Sequence, residues 1–252
     1  MFIGIDIGGT HTRIAGSSSL EKIKLISPNT FLTYKNFGDG IFEIIKNITI
    51  ISDAPQGIGI GLPGRISENG HELAGSTNLS SWINRPIVKT LEERFGCFVY
   101  IENDAVAQSL GEAYFGPNQA NKFLYLVWGT GLGGALVEYD NTEETSKVLD
   151  RKYLHEWEEK IGGKNIEARF HKTAKQLNDN EWDIVLSEFK NAIQKLSNQL
   201  SVKKIVIGGG IVDKQKSNIS KILSDLPSQV SFSKLGEQIG IFGGFAMIKS
   251  HQ

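Results

Sequence analysis

Two stretches of this chain read alike: FIGIDIGGTHTRIAG at residues 2–16 and FLYLVWGTGLGGALV at residues 123–137. Each is an apolar run, a Gly/Thr turn and a second apolar run, the pattern of two strands joined by a tight turn. Strand and helix patterns alternate after each one, which argues an α/β chain. A hairpin that recurs at the head of two such halves predicts a duplicated, two-lobed architecture with a cleft between the lobes.

Working outward from the first hairpin, Phe2–Ile7 reads as a buried strand and Arg13–Gly16 as its partner. Ile41, Ile44, Ile45 and Ile48 share a helical face, and Gly57–Leu62 is the next strand. Ile87, Leu91 and Phe95 line a helix that leads into a strand ending at Ile101. The second half begins with a helix over 104–114, then strand Lys122–Trp128 and a glycine turn into a strand at Ala135–Glu138. No period orders the polar stretch from Tyr139 to about Asn180. Trp182, Val185, Phe189, Ile193, Leu196 and Leu200 then predict one long amphipathic helix. It feeds strand Lys204–Ile207 and the run Gly208-Gly209-Gly210, and IGIFGGFAMIKS closes the chain as a small-residue helix.

Composition narrows the classes of function. In 252 residues, 27 basic side chains balance 28 acidic ones, so no electrostatic pull toward nucleic acid or an anionic membrane is expected. The single cysteine, Cys97, sits in a strand-like run and cannot form an internal disulfide or a cysteine-built zinc site. No apolar run approaches the roughly 20 residues of a membrane span, and MFIGIDIGGT enters a strand at once without a signal pattern. The expectation is a soluble, cytoplasmic protein.

The glycine turns are where chemistry is expected. Glycines let backbone N–H groups approach an anion that side chains would block. Gly8, Gly9 and Thr10 can face one phosphate, and Asp6, just before them, can hold Mg²⁺ through water. Gly129, Thr130, Gly131, Gly133 and Gly134 can do the same for a second phosphate. Neither turn has Walker A spacing, and GTGLGG runs into a strand rather than the helix a dinucleotide fingerprint needs. A third glycine turn, Gly208–Gly210, follows an apolar strand, and another strand end opens the stretch IENDAVAQSLGEAYFG at 101–116. There Asn103 reads as a helix N-cap and Asp104 as an acid in the first turn. The carboxyl end of a buried strand is equally where an open α/β sheet places its reactive groups.

Taken together, the motifs DIGGT (6–10), GIGLPGR (59–65), STNLSSW (76–82), ENDAVAQSLGE (102–112), GTGLGGALV (129–137) and VIGGG (206–210) resemble the ROK family of sugar kinases. They occur in family order, the ending GIFGGFAMI is similar too, and they frame nearly the whole chain. The resemblance implies the two-lobed actin-like ATPase fold, built from duplicated ribonuclease-H-like lobes that close over ATP and a hexose. It implies a first lobe over 1–103, completed by a C-terminal helix at about 240–252, and a second over 104–239. Asp104 matches the family's catalytic base, and Asn103 a ligand of the sugar hydroxyls. Gly64, Arg65, Thr77 and Asn78 fall where the family lines its sugar pocket. Asp6, Gly8, Gly9 and Thr10 match the first phosphate loop, Thr130, Gly131 and Gly133 the second, and Gly209 and Gly210 the adenosine site.

The stretch RKYLHEWEEKIGGKNIEARF (151–170) departs from the family. Many members carry Glu-x-Gly-His followed by a cysteine-rich zinc site. Here His155 matches the histidine, but Lys152 stands where the glutamate belongs and Leu154 replaces the glycine, so no zinc of the family's form is expected. Glu167 matches a later glutamate at the sugar's anomeric end, and Glu156 is an alternative acid. Both have a plainer reading, with Glu156, Glu158 and Glu159 on a solvated face and Trp157 in the core. The shortened, zinc-less segment is similar to the polyphosphate glucokinase branch. Lys147, Arg151, Lys152, Lys160, Lys164, Arg169, Lys172 and Lys175 can line an anionic track, although interleaved glutamates favour a mixed-charge surface.

The reading is an ATP- and Mg²⁺-dependent kinase of glucose or a close relative. Its rivals are an N-acetylhexosamine kinase, a polyphosphate-using glucokinase and a catalytically weak sugar-binding or regulatory protein. Homodimers are common in the family, which is analogy only.

Overall fold

The computed structural model describes residues 1–117, 122–140, 143–148 and 151–252, without the side chains of 139–148 and 151. The chain divides into two compact units, Met1–Phe115 with Gln238–Gln252, and Gly116–Glu237.

The first unit runs β1 (Phe2–Ile7), β2 (His11–Ser17), β3 (Ile26–Leu32), α1 (Phe37–Ile51), β4 (Gly57–Leu62), β5 (Arg65–Ile66), β6 (Leu73–Gly75), α2 (Ile87–Phe95), β7 (Phe98–Asn103) and α3 (Asp104–Phe115). The second holds β8 (Lys122–Trp128), β9 (Leu132–Asp140), β10 (Glu143–Val148), α4 (Arg151–Ile161), α5 (Gly163–Phe170), α6 (Asp179–Leu200), β11 (Lys204–Gly208), α7 (Gly210–Leu223) and β12 (Gln229–Phe232). The last helix, α8 (Ile239–Ser250), returns to the first unit. No helix among the described residues is long and apolar enough to cross a membrane.

The two large sheets repeat one another. Their orders are β3-β2-β1-β4-β7 and β10-β9-β8-β11-β12. In each, two antiparallel pairings are followed by two parallel ones. The echo between 2–16 and 123–137 is therefore a repeat of topology, with β1–β2 and β8–β9 as equivalent hairpins. β1 and β4 are apolar almost throughout because parallel central strands are covered on both faces.

Helices form where period and caps agree. Asn36 accepts the amide of Asp39 at 3.2 Å and opens α1, which buries Ile41, Ile44 and Ile48. Asn178 and Glu181 close a capping box on α6, which buries Trp182, Val185, Phe189, Ile193 and Leu196. Trp128 of β8 stacks on Phe189 with ring centroids 4.2 Å apart, at the centre of the second core.

In the first unit the tightest contact is made by α8. A Cβ at Gly4 would overlap the carbonyl of Ile241, one at Gly59 the carbonyl of Gly244, and one at Gly243 the carbonyl of Ala107 in α3. Side-chain-free positions on β1, β4 and α8 thus let helix backbone rest on strand backbone. The expected division after residue 103 differs from this packing over one helix. α3 carries Ala105, Val106, Ala107, Gly111 and Ala113 as buried small residues against α8, and so belongs with the first unit. Gly59→Ala is expected to lower the unfolding free energy by at least about 2 kcal/mol, the overpacking range. Gly75→Ala, where a Cβ meets no atom within 4 Å, should move it by less than about 0.5 kcal/mol. Denaturant titration of the two variants checks the contrast, and equal effects would contradict close backbone contact as the seat of α8.

Candidate active site

Three adjacent parallel strands of the first unit end together. In register, Asp6 of β1 faces Gly61 of β4, and Gly61 faces Glu102 of β7. Gly61 leaves a gap: a Cβ there would lie 3.6 Å from Asp104 Cα and 3.9 Å from Asp6 Oδ1. On the other side Gly240 of α8 leaves the volume that the Asp6 carboxyl fills. Two carboxylates are therefore held in a poorly hydrated space beside one another. Burial pushes Asp6 up to about 6, against the Arg13 guanidinium 3.8 Å away. Burial, reinforced by the charge of Asp6, pushes Asp104 up to about 7. Desolvation and a like charge both disfavour the ionised form, so they act in the same direction.

The junction of β7 and α3 orients Asp104. Asn103 Oδ1 accepts the amides of Ala105 (2.9 Å) and Val106 (3.3 Å), while its Nδ2 donates to the Gly64 carbonyl at 2.8 Å. Asn103 is thus the cap of α3 and a tie to the loop after β4. The Asn103 side chain is also hydrogen-bonded to the Asp104 carboxyl, which it helps to orient. Asp104 Oδ1 accepts the amide of Ala105 at 2.9 Å. Glu102 accepts the amide of Asn103 at 2.6 Å, and burial raises its pKa.

The loops expected to meet a sugar are tied to the same corner. Gly64 has φ of +149° and no room for a Cβ against Ser76 and the Gly75 carbonyl. Ser76 Oγ donates to the Pro63 carbonyl and accepts the amides of Asn78 (3.2 Å) and Leu79 (3.1 Å). The Asn78 side chain lies against Gly9. Lys35 Nζ donates to the carbonyls of Gly9 and Asn78, joining the first glycine turn to this segment. Thr33 holds that turn from beneath, donating Oγ to the Gly8 carbonyl (2.8 Å) and N–H to the Thr10 carbonyl (2.9 Å). Asp6, Gly8, Gly9, Thr10, Gly64, Asn78, Asn103 and Asp104 thus belong to one connected corner. Arg65 and Thr77 flank it with exposed side chains.

In the second unit the equivalent turn is shorter than expected. Gly133 pairs with Val127 inside the β8–β9 ladder, so the turn itself is Gly129–Gly131. Its carbonyls are taken up by α5, with Gly163 N–H on Gly129 O (3.0 Å) and Lys164 N–H on Thr130 O (2.9 Å). Gly209, with φ of +107°, packs on the Trp128 backbone and starts α7. A cavity of about 730 Å³ opens between the turn and α7, lined by Gly129, Thr130, Lys164, Glu167, Gly210 and Lys214 among others.

Not every expected residue joins these features. His155 is exposed on α4, 3.4 Å from Glu159. Glu156 pairs with Lys160 and Lys195, both at 2.9 Å, on a solvated surface. Glu167 lines the cavity of the second unit, and Trp157 is core. Lys147 and Arg151 have side chains outside the described residues. One contributor, Lys35, escaped the sequence reading, and another, Glu158, was expected on a solvated face but is half-buried. Lys35 has no local signal at all. Glu158 packs against Gly131, where a Cβ would lie 2.5 Å from its Oε1. The buried stripe Leu154, Trp157 and Ile161 would have placed it at the edge of the core-facing side of α4.

The raised carboxylates fix a direction for pH dependence. Between about pH 4 and 7 the folded chain binds more protons than the unfolded one, so stability falls as pH rises through that window. At pH 8, Asp104→Asn is expected to be more stable than the parent chain by on the order of 3 kcal/mol, and at pH 4 nearly equal to it. Denaturant midpoints at the two pH values test this. A parent chain that gains stability from pH 4 to 7 would contradict it.

Comparison with known proteins follows the same outline. The ROK family model matches residues 2–142. A glucokinase from Thermotoga maritima is 36% identical over 141 residues, covering 54% of this chain and 44% of its own length. An N-acetyl-D-glucosamine kinase from Mannheimia succiniciproducens is 37% identical over 144 residues, covering 54% and 46%. These matches thus span about half the length of the relatives. Among solved structures, a ROK family glucokinase from Streptomyces griseus in complex with glucose and AMPPNP superimposes with a TM-score of 0.79 at 19% identity, over 100% of this chain and 99% of that one. That likeness extends the two-lobed actin-like fold to the whole chain, and the chain belongs to the ROK family.

Proposed function

We propose that this chain transfers the γ-phosphoryl group of ATP to a hydroxyl of a hexose, with Asp104 as general base. The observation that carries the reading is the half-buried Asp104 carboxyl, raised to about 7 by desolvation and the charge of Asp6 and oriented by the cap of α3. A base is most effective when its pKa lies near the working pH, because it is then both available and able to hold the proton. Asp104 takes the proton of the sugar hydroxyl as that oxygen bonds to the γ-phosphorus, and the bond from phosphorus to the ADP oxygen breaks. The remaining requirement is positioning and charge stabilisation, which backbone amides and cations supply.

Gly64, Asn78 and Asn103 orient the sugar, with Arg65 and Thr77 at its margin. The turns Gly8–Thr10 and Gly129–Gly131 supply amides to the phosphates, and the cavity leading to Gly209 and Gly210 takes the nucleoside. Mg²⁺, when bound, neutralises donor phosphate charge. Asp6 is the side chain suited to it, through water, because it is a buried carboxylate beside the first turn. No group of three or more His, Cys, Asp or Glu suited to a metal occurs among the described residues, so donor oxygens and water would complete the shell. His155 and Glu156, exposed and ion-paired on α4, are not assigned to the sugar.

The family relatives include both a glucokinase and an N-acetyl-D-glucosamine kinase at nearly equal identity, which supports an N-acetylhexosamine as the second acceptor class. ADP release from Mg²⁺-ATP over hexoses and N-acetylhexosamines distinguishes them. Turnover is expected with one class, and Asp104→Asn should lower kcat by about 10²- to 10⁴-fold with little change in KM. Below about pH 7 the parent rate should fall about tenfold per unit as Asp104 gains its proton. Sugar binding without turnover would replace the kinase by a sugar-binding protein, and an Asp104→Asn variant of parental kcat would remove Asp104 as the base.

A further inference from the structure

Among the described side chains, the basic residues between 152 and 175 do not form one track. Lys160 is paired with Glu156 at 2.9 Å, Arg169 with Glu188 at 2.8 Å, and Lys172 with Glu181 at 2.8 Å. These cations are neutralised on the surface. Lys164 and Lys175 instead line the cavity of the second unit, and a third lysine, Lys214, enters it from α7. Lys214 stands four residues after Gly210, on the same face of the helix, so the amides at the start of α7 and its ammonium group open on one space.

Three cations face two acids there: Glu167 lines the cavity, and the charge of Glu237 acts on Lys214. None of the three lysines is in an ion pair among the described residues. Lys175 and Lys214 come close enough that Lys175 is the leading cause lowering the Lys214 pKa. The Lys175 ammonium so placed disfavours the charge of Lys214, and an anion between them offsets that repulsion. Lysine suits such a role because its ammonium is a mobile point charge that meets a phosphate from many directions.

We propose that Lys175 and Lys214 form an anion subsite of this cavity, which binds a phosphate group of the ligand seated against Gly129–Gly131 and the start of α7. The inference rests on the donor role proposed for the cavity and adds to it the residues that select for charge. The phosphate can belong to a nucleotide or to a free chain of inorganic phosphate.

Calorimetry on the full chain separates the two sources, with adenosine, ATP and tripolyphosphate as ligands. The proteins are wild type, Lys175→Ala/Lys214→Ala, Lys175→Arg/Lys214→Arg, and Lys172→Ala as a surface control. The double alanine variant is expected to lose about tenfold in affinity for the phosphate-bearing ligand, from two exposed charge interactions. Adenosine affinity should stay within about twofold, and the arginine variant and the Lys172→Ala control should retain wild-type binding. Loss confined to ATP assigns the subsite to a nucleotide phosphate, and loss confined to tripolyphosphate assigns it to an inorganic chain. Equal affinity of wild type and double alanine variant for both, or the same loss for adenosine as for ATP, would overturn the subsite. Wild-type binding of tripolyphosphate through the two lysines, with neither adenosine nor ATP bound, would leave the subsite standing and remove the nucleotide-donor reading.

Discussion

The contact of α8 with β1, β4 and α3 is the constraint from which the chemistry of the first unit follows. Glycines at 4, 59 and 244 bring helix backbone onto strand backbone, Gly243 brings it onto α3, and Gly240 leaves just the volume that the Asp6 carboxyl occupies. The same packing buries Asp6 and leaves Asp104 half-buried at the ends of β1, β4 and β7. Asp6 and Asp104 consequently lie near each other in a desolvated corner and hold their protons to about 6 and 7. Each ionised carboxylate there is a cost to folding above neutral pH, of the kind that persists where a reactive group is held ready. Stability and reactivity at this corner thus have one physical origin.

The two units use one hairpin for different ends. In the first, the turn is held from below by Thr33 and from the side by Lys35, with Asp6 and Asp104 close behind it. In the second, the equivalent turn is held by amides of α5, and Glu158 packs against Gly131. The carboxylates of the first unit are desolvated and lie beside one another, which suits proton transfer. The cavity of the second is broad and lined by lysines and glycine backbone, which suits an anion. A duplicated scaffold has been specialised by a few side chains at corresponding strand ends.

Much of this was legible in the sequence, because the signals are local. The repeated hairpin, the buried runs of β1 and β4 and the stripe of α6 each follow from short-range periodicity. Asn103 and Asp104 stood out because polar residues at the end of a buried strand need a reason. α4 and α5 were not legible, since charged residues mask a sparse apolar stripe of Leu154, Trp157, Ile161 and Ile166. β3 was missed because its exposed, polar sequence carries no burial pattern. The length of the second turn was overestimated because Gly133 looks the same in a strand as in a loop. Lys35 and Lys214 act through partners far away in the chain, and no spacing rule could have found them.

The raised pKa of Asp104 is the quantity on which both the packing of the first unit and the proposed chemistry converge. Carboxyl ¹³C NMR titration of the aspartates, in the parent chain and in Asp104→Asn, measures it directly. One resonance titrating near pH 7 in the parent chain and missing from the variant is the expected result. An Asp104 carboxyl that titrates near 3.8, its ordinary value, would show that the corner is wet and would contradict the account at its centre.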